Sequence, residues 1–347
     1  MLVPSKDEYL STSRSSRSCV PIYREVLADI ETPLSAYWKI AREEPYSFLL
    51  ESVTGGENLG RYSVLGARPE VVLRAHGNRF ERISNGVSEE LGEGADPLVV
   101  LRSEMERSLG CFSSPAAWHP GLPKFVGGAV GFLAYEYARF IESLPESLSD
   151  DLGHPDMVMM IARTVVVFDH AKNLIRIISL ADGTPEGYER AADEIGRLAE
   201  LLDKPLPALP AESSSSHETR PNMSPEAYQG AVRKAVQYVS AGDCIQVVLS
   251  QRFDRKLEAH PLSVYRALRR LNPSPYMFLL RCGDIDVVGA SPEILVSLAN
   301  RKARVRPIAG TRATSSSRAS RSAACTRRAS SAWASRRCRS RTRSSRG

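Results

Sequence analysis

Residues 157–180 read MVMMIARTVVVFDHAKNLIRIISL. Two runs in it, Met157–Phe168 and Leu174–Leu180, are rich in Val, Ile and Met. Near-continuous apolar composition belongs to strands covered on both faces. Met157–Phe168 is therefore expected as one long buried strand and Leu174–Leu180 as another.

Toward the N-terminus, Tyr46–Ser52 (YSFLLES) reads as a short strand, Gly55-Gly56 as a turn and Arg61–Leu65 as a second strand. Glu70–His76 and Arg79–Ile83 form a hairpin pattern around Gly77-Asn78. Pro97–Leu109 has helical spacing, with Asp96 placed to cap it and Pro97 at its first position. Between Lys124 and Glu142, Gly127, Gly128 and Gly131 allow close backbone approach.

Toward the C-terminus, Thr184-Pro-Glu-Gly opens a helix to about Leu202. Residues 204–222, KPLPALPAESSSSHETRPN, read as a linker. Ser224-Pro-Glu226 opens another helix, with Tyr228, Val232, Val236 and Val239 as its stripe and Gly242 as its stop. Cys244–Ser250 reads as a strand, Leu262–Leu271 as a helix halted by Asn272-Pro273, and Tyr276–Arg281, Asp286–Gly289 and Ala303–Ile308 as further strands. Glu293, after Ser-Pro, reads as a first-turn helix acid. The expected class is α+β with long strands in two halves: a flexible lead-in over 1–18, a first domain over 19–203, the linker, and a second domain beginning at 223.

Composition excludes several functions. Hydrophobic residues make up 42% and charged residues 25% of the 347-residue chain, ordinary values for a globular protein. No run approaches a membrane span, and the N-terminus lacks a secretory signal, so a cytoplasmic location is expected. The six cysteines form no CxxC pair and the six histidines no HxH or HExxH, which argues against a self-contained metal site.

The net charge of +6 is an average over unlike parts: residues 313–347 hold ten arginines and no acid, leaving 1–312 at −4. The body therefore gives no hint of nucleic acid or of anionic membrane as a partner. In that tail, eleven serines, ten arginines and seven alanines fill 28 of 35 positions, with no Leu, Ile, Val, Met, Phe or Tyr. Such a segment cannot bury a core and is expected to be disordered. An Arg/Ser nucleic-acid tail, an ordinary flexible terminus and an out-of-frame reading after Arg312 all fit this composition. The lack of lysine favours the last.

Six strings, in order, carry a family resemblance: SFLLES at 47–52, GRYSVLG at 60–66, GDCIQVVLSQRF at 242–253, NPSPYMF at 272–278, GASPEIL at 289–295 and RPIAGTR at 306–312. Over about residues 20–312 the chain resembles anthranilate synthase component I, of the chorismate-binding enzymes. The resemblance implies a two-half α+β fold with long mixed or antiparallel sheets, its C-terminal half incomplete here, so that 223–312 is the start of a chorismate-binding domain. It implies conversion of chorismate and ammonia to anthranilate and pyruvate, with Mg²⁺, a glutamine amidotransferase partner and inhibition by L-tryptophan.

By the same resemblance Ser52 lies on the tryptophan site with Pro275, Tyr276 and Met277, and Leu50, Glu51, Asn272 and Gly289 are weaker additions. Gly310 and Thr311 fall in the chorismate-contacting motif. The residue types suit these tasks. Ser52 and Glu51 offer a hydroxyl and a carboxylate, Pro275 and Met277 an apolar slot, and Gly310-Thr311 a backbone N–H and a hydroxyl. On pattern alone Ser52 also reads as a strand-end cap, 272–275 as a turn, and Met277 as core.

The chemistry needs a metal to hold the substrate carboxylate and a general acid and base. In the family these residues lie beyond the PIAGTR motif. Here that region has no Glu, Asp or His, so no catalytic or metal residue is assigned and the chain as written is expected to be inactive. Aminodeoxychorismate synthase is the alternative; it carries a nucleophilic lysine where this chain has Ala309, which cannot serve. A non-catalytic tryptophan- or partner-binding fragment is the reading from another class.

Overall fold

The computed structural model describes residues 1–13, 19–52, 60–93, 96–110, 121–144, 150–211, 217–299 and 302–305. The helices are α1 (Lys6–Ser13), α2 (Pro33–Ala41), α3 (Pro97–Leu109), α4 (Pro185–Asp203), α5 (Pro225–Ala241) and α6 (Pro261–Leu271). The strands are β1 (Val20–Leu27), β2 (Tyr46–Glu51), β3 (Tyr62–Ala67), β4 (Val71–His76), β5 (Arg79–Ser84), β6 (Val87–Glu93), β7 (Gly128–Leu133), β8 (Met157–Ala162), β9 (Thr164–Asp169) and β10 (Leu174–Ala181). After these come β11 (Thr219–Pro221), β12 (Phe253–Arg255), β13 (Tyr276–Cys282), β14 (Asp286–Ser291), β15 (Ser297–Ala299) and β16 (Lys302–Arg304).

Two antiparallel sheets make the body. A seven-stranded sheet runs β1-β10-β9-β3-β2-β13-β14 and a five-stranded sheet β6-β5-β4-β8-β7. One face of the larger sheet buries Leu49, Leu65, Val166, Ile177 and Leu279 against Tyr37 and Ile40 of α2, Tyr188 and Ile195 of α4, and Leu262 and Tyr265 of α6. Its other face turns Phe48, Val165, Val167, Ile178 and Leu280 toward Leu73, Met157 and Ile161 of the smaller sheet. Both faces of β9 and β10 are thus covered, which explains their largely apolar sequence.

The run Met157–Phe168 is not one strand. It divides at Arg163, with β8 in the smaller sheet and β9 in the larger. The break falls at the one charged residue in the run. Arg163 donates from Nε to Glu70 Oε2 at 2.7 Å and from Nη1 to the Leu180 carbonyl at 3.1 Å, while Nη2 bonds the Ser108 carbonyl. A half-buried guanidinium needs such partners, and the gap between the sheets supplies them.

Local signals set the helix starts. Asp96 accepts from Leu98 N at 2.8 Å, Thr184 from Gly187 N at 2.9 Å and Ser224 from Ala227 N at 3.2 Å, with proline in the first turn each time. Gly242 ends α5 in the left-handed region at φ 87°. At Gly131 an added Cβ would lie 1.8 Å from the Val158 carbonyl oxygen; the β7–β8 approach excludes a side chain there.

Several expectations change. Residues 1–13 are not a loose lead-in: Val3 bridges Tyr23, and Tyr9 is fully buried against Tyr188 at 5.2 Å between ring centroids. Apolar Tyr9 outweighs the polar composition around it; residues 14–18 lie outside the described set. The linker boundary divides the sequence but not the sheet, because β13 and β14 add to β2. The start of the linker is also held, with Trp38 Nε1 donating to the Ala208 carbonyl at 3.1 Å. Cys244–Ser250 forms no strand, since none of the described residues pairs with it. Glu293 opens no helix; its carbonyl accepts from Ser291 Oγ at 3.0 Å. The Gly55-Gly56 turn, residues 306–312 and the tail lie outside the described residues.

Candidate functional site

The strings SFLLES and NPSPYMF lie 225 positions apart at their first residues, yet they fold as neighbours. β2 pairs antiparallel with β13 from Cys282↔Tyr46 to Met277↔Glu51, and β13 pairs with β14, setting Phe278 opposite Gly289. Extended by one residue, the register sets Ser52 opposite Tyr276. Leu50, Glu51, Ser52, Tyr276, Met277 and Gly289 are therefore brought together at one end of three adjacent strands. Pro275 enters β13 from the turn after α6. Asn272, the C-cap of α6, is exposed on that turn. Ser274 is buried, and its hydroxyl donates to the Ser291 carbonyl, tying the turn to β14.

Strand alternation then sorts these residues onto two faces. Leu50 and Phe278 belong to the face toward the smaller sheet, and Met277 to the face toward the helices. The Phe278 ring covers Gly289 on the first of these faces: a Cβ on Gly289 would lie 2.1 Å from Phe278 Cζ. Glycine here makes room for the ring.

Glu51 shares the helix-facing side with Met277, and they are 4% and 1% exposed. The Tyr265 hydroxyl donates to Glu51 Oε2 at 2.5 Å, and Arg269 Nε lies 3.2 Å from the same oxygen. The Glu51 carboxylate is thus committed inside the protein, and Met277 is core rather than the wall of an open slot. The reason is the period of two: residues adjacent in LLES cannot all face one ligand. Burial, and next the nearby Glu51 carboxylate, drive the Tyr265 pKa far above its ordinary value, so its hydroxyl remains the donor.

Arg269 Nε makes only an ion-pair contact with Glu51, not a hydrogen bond, and among the described residues Ser52 has no partner of either kind. The Ser52 hydroxyl is shielded from solvent. Buried polar groups are normally paired, so an orphan at a strand end marks a place where something else can bond. Next to the cluster, Ser63 Oγ and His170 Nε2 are 2.8 Å apart. Burial lowers the His170 pKa, with Glu51 opposing that effect. Tyr265, Arg269 and His170 were not singled out in the sequence. Only the i, i+4 spacing of Tyr265 and Arg269 hinted that they act on one face.

Among the described residues no cluster of three His, Cys, Asp or Glu side chains is placed to hold a metal ion, and no helix is long and apolar enough to cross a membrane. Gly310 and Thr311 lie outside the described residues.

The sequence profile of the chorismate binding enzymes matches residues 88–326, and the chain belongs to that family. It is 40% identical over 316 residues to anthranilate synthase component 1 of Pseudomonas aeruginosa, covering 89% of this chain and 63% of that protein. It is 41% identical over 293 residues to the Thermus thermophilus protein of the same name, covering 84% and 60%. The crystal structure of anthranilate synthase component I from Streptococcus pneumoniae superposes with a TM-score of 0.57 at 29% identity, over 79% of this chain and 59% of that one. The chain thus spans less than two thirds of the length of these relatives.

Proposed function

We propose that this chain is the effector-binding part of an anthranilate synthase component I, the enzyme that makes anthranilate and pyruvate from chorismate and ammonia in tryptophan biosynthesis. L-Tryptophan is the effector. It sits at the β2–β13–β14 strand ends beside Leu50, Ser52, Pro275 and Tyr276, with Gly289 keeping that face open for the Phe278 ring. The observation that carries the reading is the orphaned, shielded Ser52 hydroxyl opposite Tyr276, where two distant strings of the sequence meet.

A glutamine amidotransferase subunit supplies the ammonia, and the work is cytoplasmic. Gly310 and Thr311 touch chorismate. When bound, Mg²⁺ would hold the substrate carboxylate and assist departure of the hydroxyl. The described residues offer no cluster of ligands for it, and residues 313–347 contain no Asp, Glu or His, so no catalytic step is assigned to this chain. The Ala309 position favours anthranilate over aminodeoxychorismate chemistry.

Titration calorimetry of the purified chain with L-tryptophan tests the effector site: saturable heat is expected, and none would remove the reading. A fluorescence assay for anthranilate with chorismate, Mg²⁺ and ammonium tests the rest. No product is expected from this chain, and turnover would show that the catalytic groups are present after all.

A further inference from the structure

Tyr265 and Arg269 lie one turn apart on α6 and meet the same oxygen of Glu51, at 2.5 and 3.2 Å. Glu51 is the last residue of β2 and the last in register with β13. Ser52 follows it directly. A carboxylate this buried is tolerated only with such partners, so the helix grips the strand at the residue before the orphaned hydroxyl. Tyr265 is itself fully buried, which fixes its ring and, through its hydroxyl, the carboxylate.

We propose that Tyr265 and Arg269 are positioning residues of the effector site: acting through Glu51, they hold the end of β2 so that the Ser52 hydroxyl faces the bound amino acid. This rests on the effector reading above. Neither residue touches the ligand. Their side chains lie on the helix face of the sheet, and the ligand lies beyond its strand ends. The latch also joins a strand from the first half of the sequence to a helix from the second, so α6 senses any shift at Ser52.

The test is a double-mutant cycle on the full chain, read by calorimetry with L-tryptophan. The charge-assisted Tyr265–Glu51 hydrogen bond sets the scale, and Tyr265→Phe is expected to weaken binding about tenfold. In a Ser52→Ala background the same change is expected to have no further effect, because the group it positions is gone. A role in general stability would weaken binding equally in both backgrounds. Additive effects, or a Tyr265→Phe variant that binds as well as its parent, overturn the proposal and leave the effector reading standing. Absence of tryptophan binding by the unaltered chain overturns that reading and this one with it. Should Tyr265→Phe fail to give a cooperative melt, the Arg269→Gln and Ser52→Ala cycle reads the same coupling with the buried ring intact.

Discussion

Asp169, at the end of β9, shows what single residues contribute. Its side chain is fully buried. Arg61 donates to it from Nε at 3.1 Å and Nη2 at 3.0 Å, and Arg176 from Nη1 at 3.3 Å. Burial alone would raise its pKa, but Arg61 and then Arg176 outweigh that and hold it below the ordinary carboxylate value. A pKa depressed by folding contributes stability that is full above the unfolded value near ~4 and is lost as pH falls through the folded one. Asp169→Asn is expected to cost about 3 kcal/mol at neutral pH, since it leaves two guanidinium groups short of a partner. Urea melts of both proteins at pH 7 and in acid check this. The gap should shrink in acid, and an equal gap at both would point away from the ion pairs. None of this was legible in the sequence, because Arg61 is 108 positions away. The same holds for Glu51, whose carboxylate reads as available in LLES until Tyr265, 214 positions on, occupies it. Gly289 was singled out, but not for its reason. Gly289→Ala is expected to displace the Phe278 ring, cost about 1–3 kcal/mol and weaken tryptophan binding on the same face; unchanged affinity in calorimetry would place the ligand elsewhere.

At the scale of elements, what could be read depended on how local the cause was. Helix starts at Asp96, Thr184 and Ser224, the stop at Gly242 and the Gly77-Asn78 hairpin depend on residues a few positions apart, and all stand where the sequence placed them. Strand divisions depend on distant partners and were missed. Nothing around Arg163 says that β8 and β9 join different sheets, and Cys244–Ser250 has strand composition but no strand to pair with among the described residues. β propensity describes fit to a neighbouring surface rather than an intrinsic state. Gly131 joins the two kinds of cause, since its sequence context suggested close approach and the structure supplies the Val158 carbonyl. Because the clash is with backbone, no rotamer relieves it. Gly131→Ala is expected to cost about 3 kcal/mol and to speed hydrogen exchange selectively in Met157–Ala162, the partner strand. Uniform loss of protection across both sheets would instead mean that the two unfold as one unit.

For the whole molecule, the contrast lies between its two ends. The two sheets and helices α2, α4 and α6 enclose dense cores, whereas none of the residues of α5 is buried. The stripe read from the sequence is present, but Val232, Val236 and Val239 stay open, and Ile245 and Val248 beyond it are 91% and 82% exposed. Phe253 and Leu257 extend the same character. Exposed apolar side chains in this number drive association unless another surface covers them. Residues 313–347 have only Ala, Cys and one Trp as apolar side chains, too little to do so. The purified chain is therefore expected to bind the dye ANS and to scatter light increasingly with concentration. Val236→Lys with Val248→Lys is expected to reduce both signals. It should leave the melting midpoint within about 2 °C, since exposed positions outside the cores change stability little. A lowered midpoint would show that α5 packs in solution, and unchanged dye binding would move the adhesive surface to another part of the molecule.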